Sequence, residues 1–365
     1  MRSMDTIADD VAIEARGGQP LPAIIAGNTF MDDESVVEPE QLIEGVLHRG
    51  AQLIIGGGSK GRKTWSFMDL AMCVSEGIPW WGWNTYRGKV LYLNFELQAF
   101  AMQKRMKYIK DYYNSDKTKY QVSGENFDVW NLRGHAADID MLRDRIGDQL
   151  NGYSLVVFDP LYKMLGGRNE NDAGDMGSLM NQLEQMAVNA GCSVVSGAHY
   201  RKGGPGEGKS SERMSGSGVL QRNPDAIITM SDLDEQVLPK EDKEGEEGKE
   251  YECCVIEPIL RNFQPYMPFG VYWDFPIFKK GDWINIQKVK GGGAATKKFF
   301  VEDIKGKFKD RGWMTYKETY EAIMEEVGCK DRKAKDIIAE ALACKLLVKS
   351  ELENDERGRP KYTQI

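Results

Sequence analysis

The segment Ile54-Ile55-Gly56-Gly57-Gly58-Ser59-Lys60-Gly61-Arg62-Lys63-Thr64 constrains the fold of this chain more than any other. A short apolar run leads into it, and a helical pattern leaves it. Glycines in that context let consecutive backbone N–H groups point inward, and the following helix N-terminus adds positive potential. Such a turn is built to cradle phosphate. In the pattern G-x-x-x-x-G-K-[ST] counted from Gly57, Lys63 bridges the β- and γ-phosphates and the Thr64 hydroxyl ligates magnesium. Arg62 then stands where the second glycine belongs, at a position that favours a conformation costly for a residue with a side chain. Counting from Gly56 makes Gly61 that glycine, but Lys63 then takes the hydroxyl position and the metal loses its ligand. The Gly57 register is the better one. Its candidate nucleotide contacts are Gly57, Gly58, Ser59, Lys60, Gly61, Arg62, Lys63, Thr64 and Trp65. The competing reading is a basic, glycine-rich turn that binds nothing.

The runs around this segment predict an α/β protein. Leu53-Ile54-Ile55 and residues 90–93, 155–158, 193–197, 226–230 and 253–260 are short, apolar and without strict alternation, as in buried and mostly parallel strands. Helical spacing of apolar residues over 64–76, 99–112, 138–150 and 176–190 separates several of them, which implies a doubly wound sheet. Residues 1–45 are polar and rich in Gly and Pro, an arm with a short helix expected near 39–47. The acidic stretch 231–250 reads as a solvated hairpin loop.

Composition narrows the setting. A chain of 365 residues is long enough for two domains. The six cysteines are scattered without a CxxC pair, and there are only three histidines, so neither a disulfide framework nor a zinc site is expected. The start lacks a basic stretch followed by an apolar run, and no run approaches the ~18 apolar residues of a membrane span. The expectation is a cytoplasmic protein with no membrane partner. The net charge of −8 argues against general nucleic-acid affinity, so any DNA contact needs a local basic surface.

After the Gly-rich linker at 289–296 the charge balance changes. Residues 297–365 hold 16 Lys/Arg against 14 Asp/Glu, a net of +2, so the preceding residues carry −10. Three helices, over 298–309, 316–327 and 332–345, and two strands around 353–359 give the winged-helix pattern. Arg332, Lys333 and Lys335 crowd the first turn of its third helix, off the apolar stripe, and Arg359 sits at the hairpin tip. These are candidate contacts to duplex DNA; a partner-binding module with a solvated charged face fits the same residues.

Two acidic residues lie at strand ends, where ligands meet a parallel sheet. Asp159 closes Leu155-Val156-Val157-Phe158, where a carboxylate holds magnesium through water or, equally, caps a helix. Glu96 follows residues 90–95 and has the chemistry to polarise an attacking water.

The ordered series Gly57–Trp65, Tyr92-Leu93-Asn94-Phe95-Glu96, Val156-Val157-Phe158-Asp159-Pro160-Leu161-Tyr162-Lys163 and Val194-Val195-Ser196-Gly197-Ala198-His199 resembles the RepA-type AAA family of hexameric ATPases. These act in plasmid and phage replication and are related to the helicases of the RecA/DnaB group. The resemblance spans residues 45–285 and implies a RecA-like core over 46–288, with ATP and Mg2+ as cofactors and a ring-forming homo-oligomer, a hexamer. Some members lack the second glycine of the phosphate loop. The resemblance also implies roles: Glu96 as catalytic glutamate, Asp159 as the metal-holding aspartate, and His199 as a sensor of the γ-phosphate. Arg201, Lys202, Lys209 and Arg213 then grip single-stranded DNA from a channel loop, and Arg261 is the arginine finger given to a neighbouring subunit. The function implied is a single-stranded DNA motor, a helicase of mobile-element replication. A filament-forming strand-exchange protein and an ATP-switched DNA-binding regulator remain the alternatives.

Overall fold

A computed structural model of the chain describes residues 22–365, apart from 59–60, 116–117, 136–137, 147, 200–217, 238–248, 288–303, 305, 309–310, 330 and 365. The channel-loop residues Arg201, Lys202, Lys209 and Arg213, the linker 289–296 and most of the helix expected at 298–309 lie outside the described residues. Residues 1–39 and 40–365 are separate units. In the first, residues 22–39 are nearly all exposed and contain one short helix, α1 (Gly27–Met31), with no buried residue.

The second unit opens with a β-hairpin, β1 (Gln41–Ile43) and β2 (Leu47–His48), where a short helix was expected. Leu42, Ile43, Val46 and Leu47 do recur at helical spacing. All four are buried, but Gly45 at φ +69° turns the chain back, and the Glu44 N–H donates to Asn84 O instead of to its own turn.

The phosphate-loop strand β3 (Gln52–Gly57) and helix α2 (Lys63–Glu76) follow. Next come β4 (Val90–Asn94), α3 (Ala99–Tyr113), β5 (Phe127–Asn131), α4 (Ile139–Ile146), β6 (Leu155–Asp159), α5 (Ala173–Ala190) and β7 (Ser193–His199). A short helix α6 (Val219–Arg222) leads to β8 (Ala226–Asp232). At the ends of the acidic stretch β9 (Gln236–Val237) pairs antiparallel with β10 (Glu250–Tyr251), the loop expected between them lying largely outside the described residues, and β11 (Cys253–Leu260), β12 (Phe269–Asp274) and β13 (Ile277–Lys280) complete the sheet side.

Nine strands form one sheet in the order β13-β12-β11-β8-β3-β7-β6-β4-β5. From β8 to β5 every pairing is parallel; β11, β12 and β13 extend the sheet antiparallel. This is the α/β, mostly parallel architecture the apolar runs predict. The strands are apolar on both faces because each face is covered. One layer packs α2 and α3 with Phe67, Leu70 and Trp80, and the other packs α4 and α5 with Leu142, Leu179 and Leu183. Gly197 on β7 makes room for this layering, since a Cβ there would stand 2.9 Å from the Phe67 ring.

The C-terminal residues fold as α7 (Tyr316–Val327), α8 (Asp331–Ala343) and the hairpin β14 (Leu347–Asn354) with β15 (Pro360–Gln364). Thr315 and Glu318 form a reciprocal capping box on α7, satisfying two orphan N–H donors. Met314 bridges to Tyr362, tying the start of α7 to the hairpin. The expected stripe of α8 is inward: Ala334, Ile337, Ile338 and Ala341 are buried with Ile304, Phe308 and Ile323.

Candidate functional site

In parallel register Gly57 pairs with His199 and Met230, and Asn94 pairs with Asp159. The phosphate loop, Glu96, Asp159 and His199 are thereby gathered at one end of the sheet by topology alone. The Lys63 amine lies folded back on the loop. It donates to Gly57 O at 2.9 Å and Gly58 O at 2.8 Å, and stands 3.2 Å from His199 Nδ1. Burial lowers its pKa to about 8, with Asp159, Asp232 and Glu96 opposing that shift. His199 is likewise held below its ordinary value, by burial and then by the Lys63 charge.

Asp159 is 4% exposed and accepts a hydrogen bond from the Tyr92 hydroxyl at 2.7 Å. Burial raises its carboxyl pKa to about 6, against the lowering effect of bonds from Tyr92 and the Thr64 hydroxyl. Thr64 and Asp159 thus lie close enough to interact, where a shared metal site would form. The Glu96 side chain is exposed, and its charge is felt by Lys63, Asp159 and His199. Asn94 fixes the turn that presents it: Asn94 Oδ1 accepts from the N–H groups of Glu96 and Leu97, while Nδ2 donates to Leu97 O and Asn131 Oδ1.

Arg62 has φ +57°, the left-handed conformation that the missing glycine suggested. For an L-residue this costs roughly 1–2 kcal/mol. Contacts on the antiparallel strands offset it: the guanidinium pairs with the Glu252 carboxylate and lies 4.7 Å from the Trp273 ring centroid. Ser59 and Lys60 lie outside the described residues. Trp65 opens the first turn of α2 and packs edge-on against Trp273 and Phe275 at 5.5 and 5.7 Å.

Arg261 is not part of this cluster. Leu260 pairs with Ala226, at the beginning of the parallel strand β8. The residue after it therefore lies at the opposite end of the sheet, about four residues or ~13 Å of strand from the level of Gly57. There its guanidinium bonds Arg222 O and its N–H donates to Asp225 O at 2.9 Å. Arg261 cannot serve its own phosphate loop.

In the C-terminal residues, Lys335 is exposed and Lys333 half-buried, both on α8; the Arg332 side chain lies outside the described residues. Arg359 is engaged at the hairpin turn, where Nη2 lies 2.9 Å from the Asp355 carboxylate.

Three residues of the site escaped the sequence reading. Tyr92 looks like any strand aromatic until its hydroxyl meets Asp159. Asn94 reads as a strand end. Asp232 closes β8 beside the loop, with Oδ2 3.7 Å from where a Gly58 Cβ would stand. A polar residue ending an apolar run, as in Asn94 and Asp232, was the available signal.

Residues 28–205 match the AAA domain family. The match takes in β3, α2, β4, β6 and β7, just under half of the chain, and with the site geometry it supports a P-loop nucleotide-binding ATPase. A KaiC-like protein from the hyperthermophilic archaeon Pyrococcus horikoshii OT3 aligns structurally with a TM-score of 0.42 and 12% identity, over 66% of this chain and 93% of that one. No curated protein matches the chain. Among the described residues, no helix is long and apolar enough to cross a membrane.

The two shifted groups set a pH window. Above about 8 the free Lys63 amine loses its proton, whereas bound phosphate favours the charged form. Binding then requires proton uptake, and affinity falls by up to about tenfold per unit. Below about 6 Asp159 is protonated and cannot serve a cation, so magnesium-supported affinity falls as pH drops. Nucleotide affinity measured from about pH 5 to 9.5 should show both limbs. Asp159→Asn should remove the acid limb beyond the ligand's own titration, and Lys63→Ala the alkaline one. A flat profile in the wild type contradicts the assignment.

Proposed function

We propose that this chain is a ring-forming, RecA-like ATPase that uses hydrolysis to move along single-stranded DNA, as a helicase of plasmid or phage replication. The observation that carries the ATPase part is the meeting of Lys63, the Thr64–Asp159 pair and Glu96 at one end of the parallel strands. The residues fit a magnesium nucleotide. A Cβ on Gly57 would stand 3.2 Å from Met230 O, and one on Gly61 3.2 Å from Gly58 O, so at these two positions the loop is tight for any side chain. The Lys63 amine is capped by the loop's own carbonyl oxygens and His199, partners that phosphate oxygens can replace.

Magnesium, when bound, neutralises charge on the β- and γ-phosphates. Thr64 would hold it directly and Asp159 through water. Lys63 places a positive charge at the transferring group. Glu96, held by Asn94 but open to solvent, orients water for in-line attack. Arg261 faces away from its own loop, which supports a role on a neighbouring subunit's nucleotide.

The DNA substrate rests on the resemblance of residues 45–285 and on the C-terminal order of two helices and a hairpin, which supports a winged helix using Arg332, Lys333, Lys335 and Arg359. Steady-state hydrolysis with and without single-stranded DNA tests the motor. Strong stimulation is expected; tight nucleotide binding with no turnover would mean a switch instead. For the trans finger, mixing Arg261→Ala with Lys63→Ala protein should restore part of the activity, since some mixed interfaces combine an intact loop with an intact finger. No rescue, together with turnover per subunit independent of concentration, would overturn it.

A further inference from the structure

A cavity of about 400 Å³ opens on the α2–α3 side of the sheet, between α2, the turn at 79–82, the end of α3, residues 118–120 and the edge strand β13. It shares none of the residues assigned to the phosphate site, and its volume is within the range of small-molecule sites, roughly 300–1,000 Å³. Its polar lining is graded. Asp69, on α2 and 2% exposed, is the acidic group. The Tyr113 hydroxyl donates to its Oδ1 at 2.7 Å, and the Cys73 thiol lies 3.9 Å from the same oxygen.

Lys119 and Lys280 line the same cavity as exposed amines. Each lies over a ring, Lys119 at 5.4 Å from Tyr120 and Lys280 at 4.9 Å from Phe269, and neither has a carboxylate partner among the described residues. Lys279, by contrast, is committed to Asp274 at 2.5 Å. Aromatic side chains line the same cavity: Trp81, Tyr112 and Tyr113.

Two features mark the site as more than a surface groove. Trp81 has φ +52°, a genuine outlier for so bulky a residue, and strain of this kind clusters at ligand sites. Its indole N–H is buried and meets no acceptor. A buried unpaired donor costs about 1–3 kcal/mol unless something satisfies it. Burial also raises the Asp69 pKa to about 7, so near neutral pH this group can accept or donate a hydrogen bond.

We propose that this cavity binds a nucleoside monophosphate, its base between the aromatic walls with its N–H edge toward Asp69 and its phosphate at Lys119 and Lys280. A flat ring suits the walls, a hydrogen-bonding edge suits the buried acid, and an anion suits the two exposed amines. The inference does not depend on the phosphate loop. Asp69 lies six residues along α2 from Lys63, about 9 Å by helical rise.

The test uses the full-length Lys63→Ala protein, in which nucleotide binding at the phosphate loop is disabled. Each of the four ribonucleoside monophosphates is titrated by calorimetry and by the fluorescence of the Trp80, Trp81 and Trp83 cluster. At least one should bind with one-to-one saturation below millimolar concentration. Adding Lys119→Ala and Lys280→Ala, both at exposed positions, should weaken it by roughly tenfold or more while thermal unfolding stays unchanged. Ribose 5-phosphate and the unphosphorylated nucleoside should each bind at least about tenfold more weakly than the whole. The proposal is overturned by no saturable binding of any of the four, by binding indifferent to the two lysines, or by ribose 5-phosphate binding as well as the nucleotide.

Discussion

Lys63→Ala is expected to lower ATP turnover by about 10²–10³-fold and to weaken nucleotide binding, whereas Glu96→Gln is expected to remove turnover and leave binding intact. The difference follows from position. The Lys63 amine is buried among loop carbonyl oxygens, and in the proposed function it meets the transferring phosphoryl group, so it would serve ground state and transition state alike. Glu96 is exposed at a turn whose backbone is fixed by Asn94, not by the Glu96 carboxylate. The amide isostere therefore keeps the turn and loses only the polarisation of water, worth about 10²–10⁴-fold. Equilibrium binding of a fluorescent ATP analogue beside single-turnover hydrolysis separates the two. Normal hydrolysis by Glu96→Gln would remove it from the catalytic role.

Phe67→Ala is expected to cost about 3–5 kcal/mol of stability, the range for deleting a buried aromatic. Phe67 is fully buried on α2, and its ring fills the space that Gly197 leaves on β7. Gly197, opposite the ring, has no side chain to take over that space. The variant should shift the denaturation midpoint of the core strongly, read by tryptophan fluorescence. It should also loosen the junction between α2 and the sheet, so nucleotide affinity should drop with it. An unchanged midpoint would mean that the core collapses onto the gap more completely than this packing allows.

Of the parallel strands, β3, β4, β6, β7 and β8 were legible because each is a continuous apolar run buried along its length, and α2 because its apolar residues recur on helical spacing after a glycine-rich turn. Four elements were not. β5 carries Asp128 and Asn131 and has no fully buried residue, so it lacks the apolar run of its neighbours. β12 and β13 are short and mixed in polarity, with Gly270 inside β12 and Pro276 in the turn that joins them, so neither reads as a continuous apolar run. The hairpin at 41–48 imitates helical spacing, and only the turn at Gly45 decides it. In the site, Lys63, Thr64, Glu96 and Asp159 could be named because motifs and strand ends fix them in sequence. Tyr92, Asn94 and Asp232 acquire meaning only through register, which sets residues from separate strands side by side. The left-handed backbone of Arg62 was legible as a departure from the motif; its relief by Glu252 and Trp273 was not, since those residues lie about 200 positions along the chain.

The folded-back Lys63 makes the loop its own competitor. Any anion that enters must first break the bonds from the amine to Gly57 O and Gly58 O, and those oxygens must find new donors. A small monovalent anion such as chloride offers one contact in exchange for two and gains little. A polyphosphate engages the amine and the N–H groups opening α2 together, and can repay the exchange. The loop is thereby expected to discriminate on charge density, favouring a polyphosphate over simple monovalent anions before the base or ribose of a nucleotide is recognised.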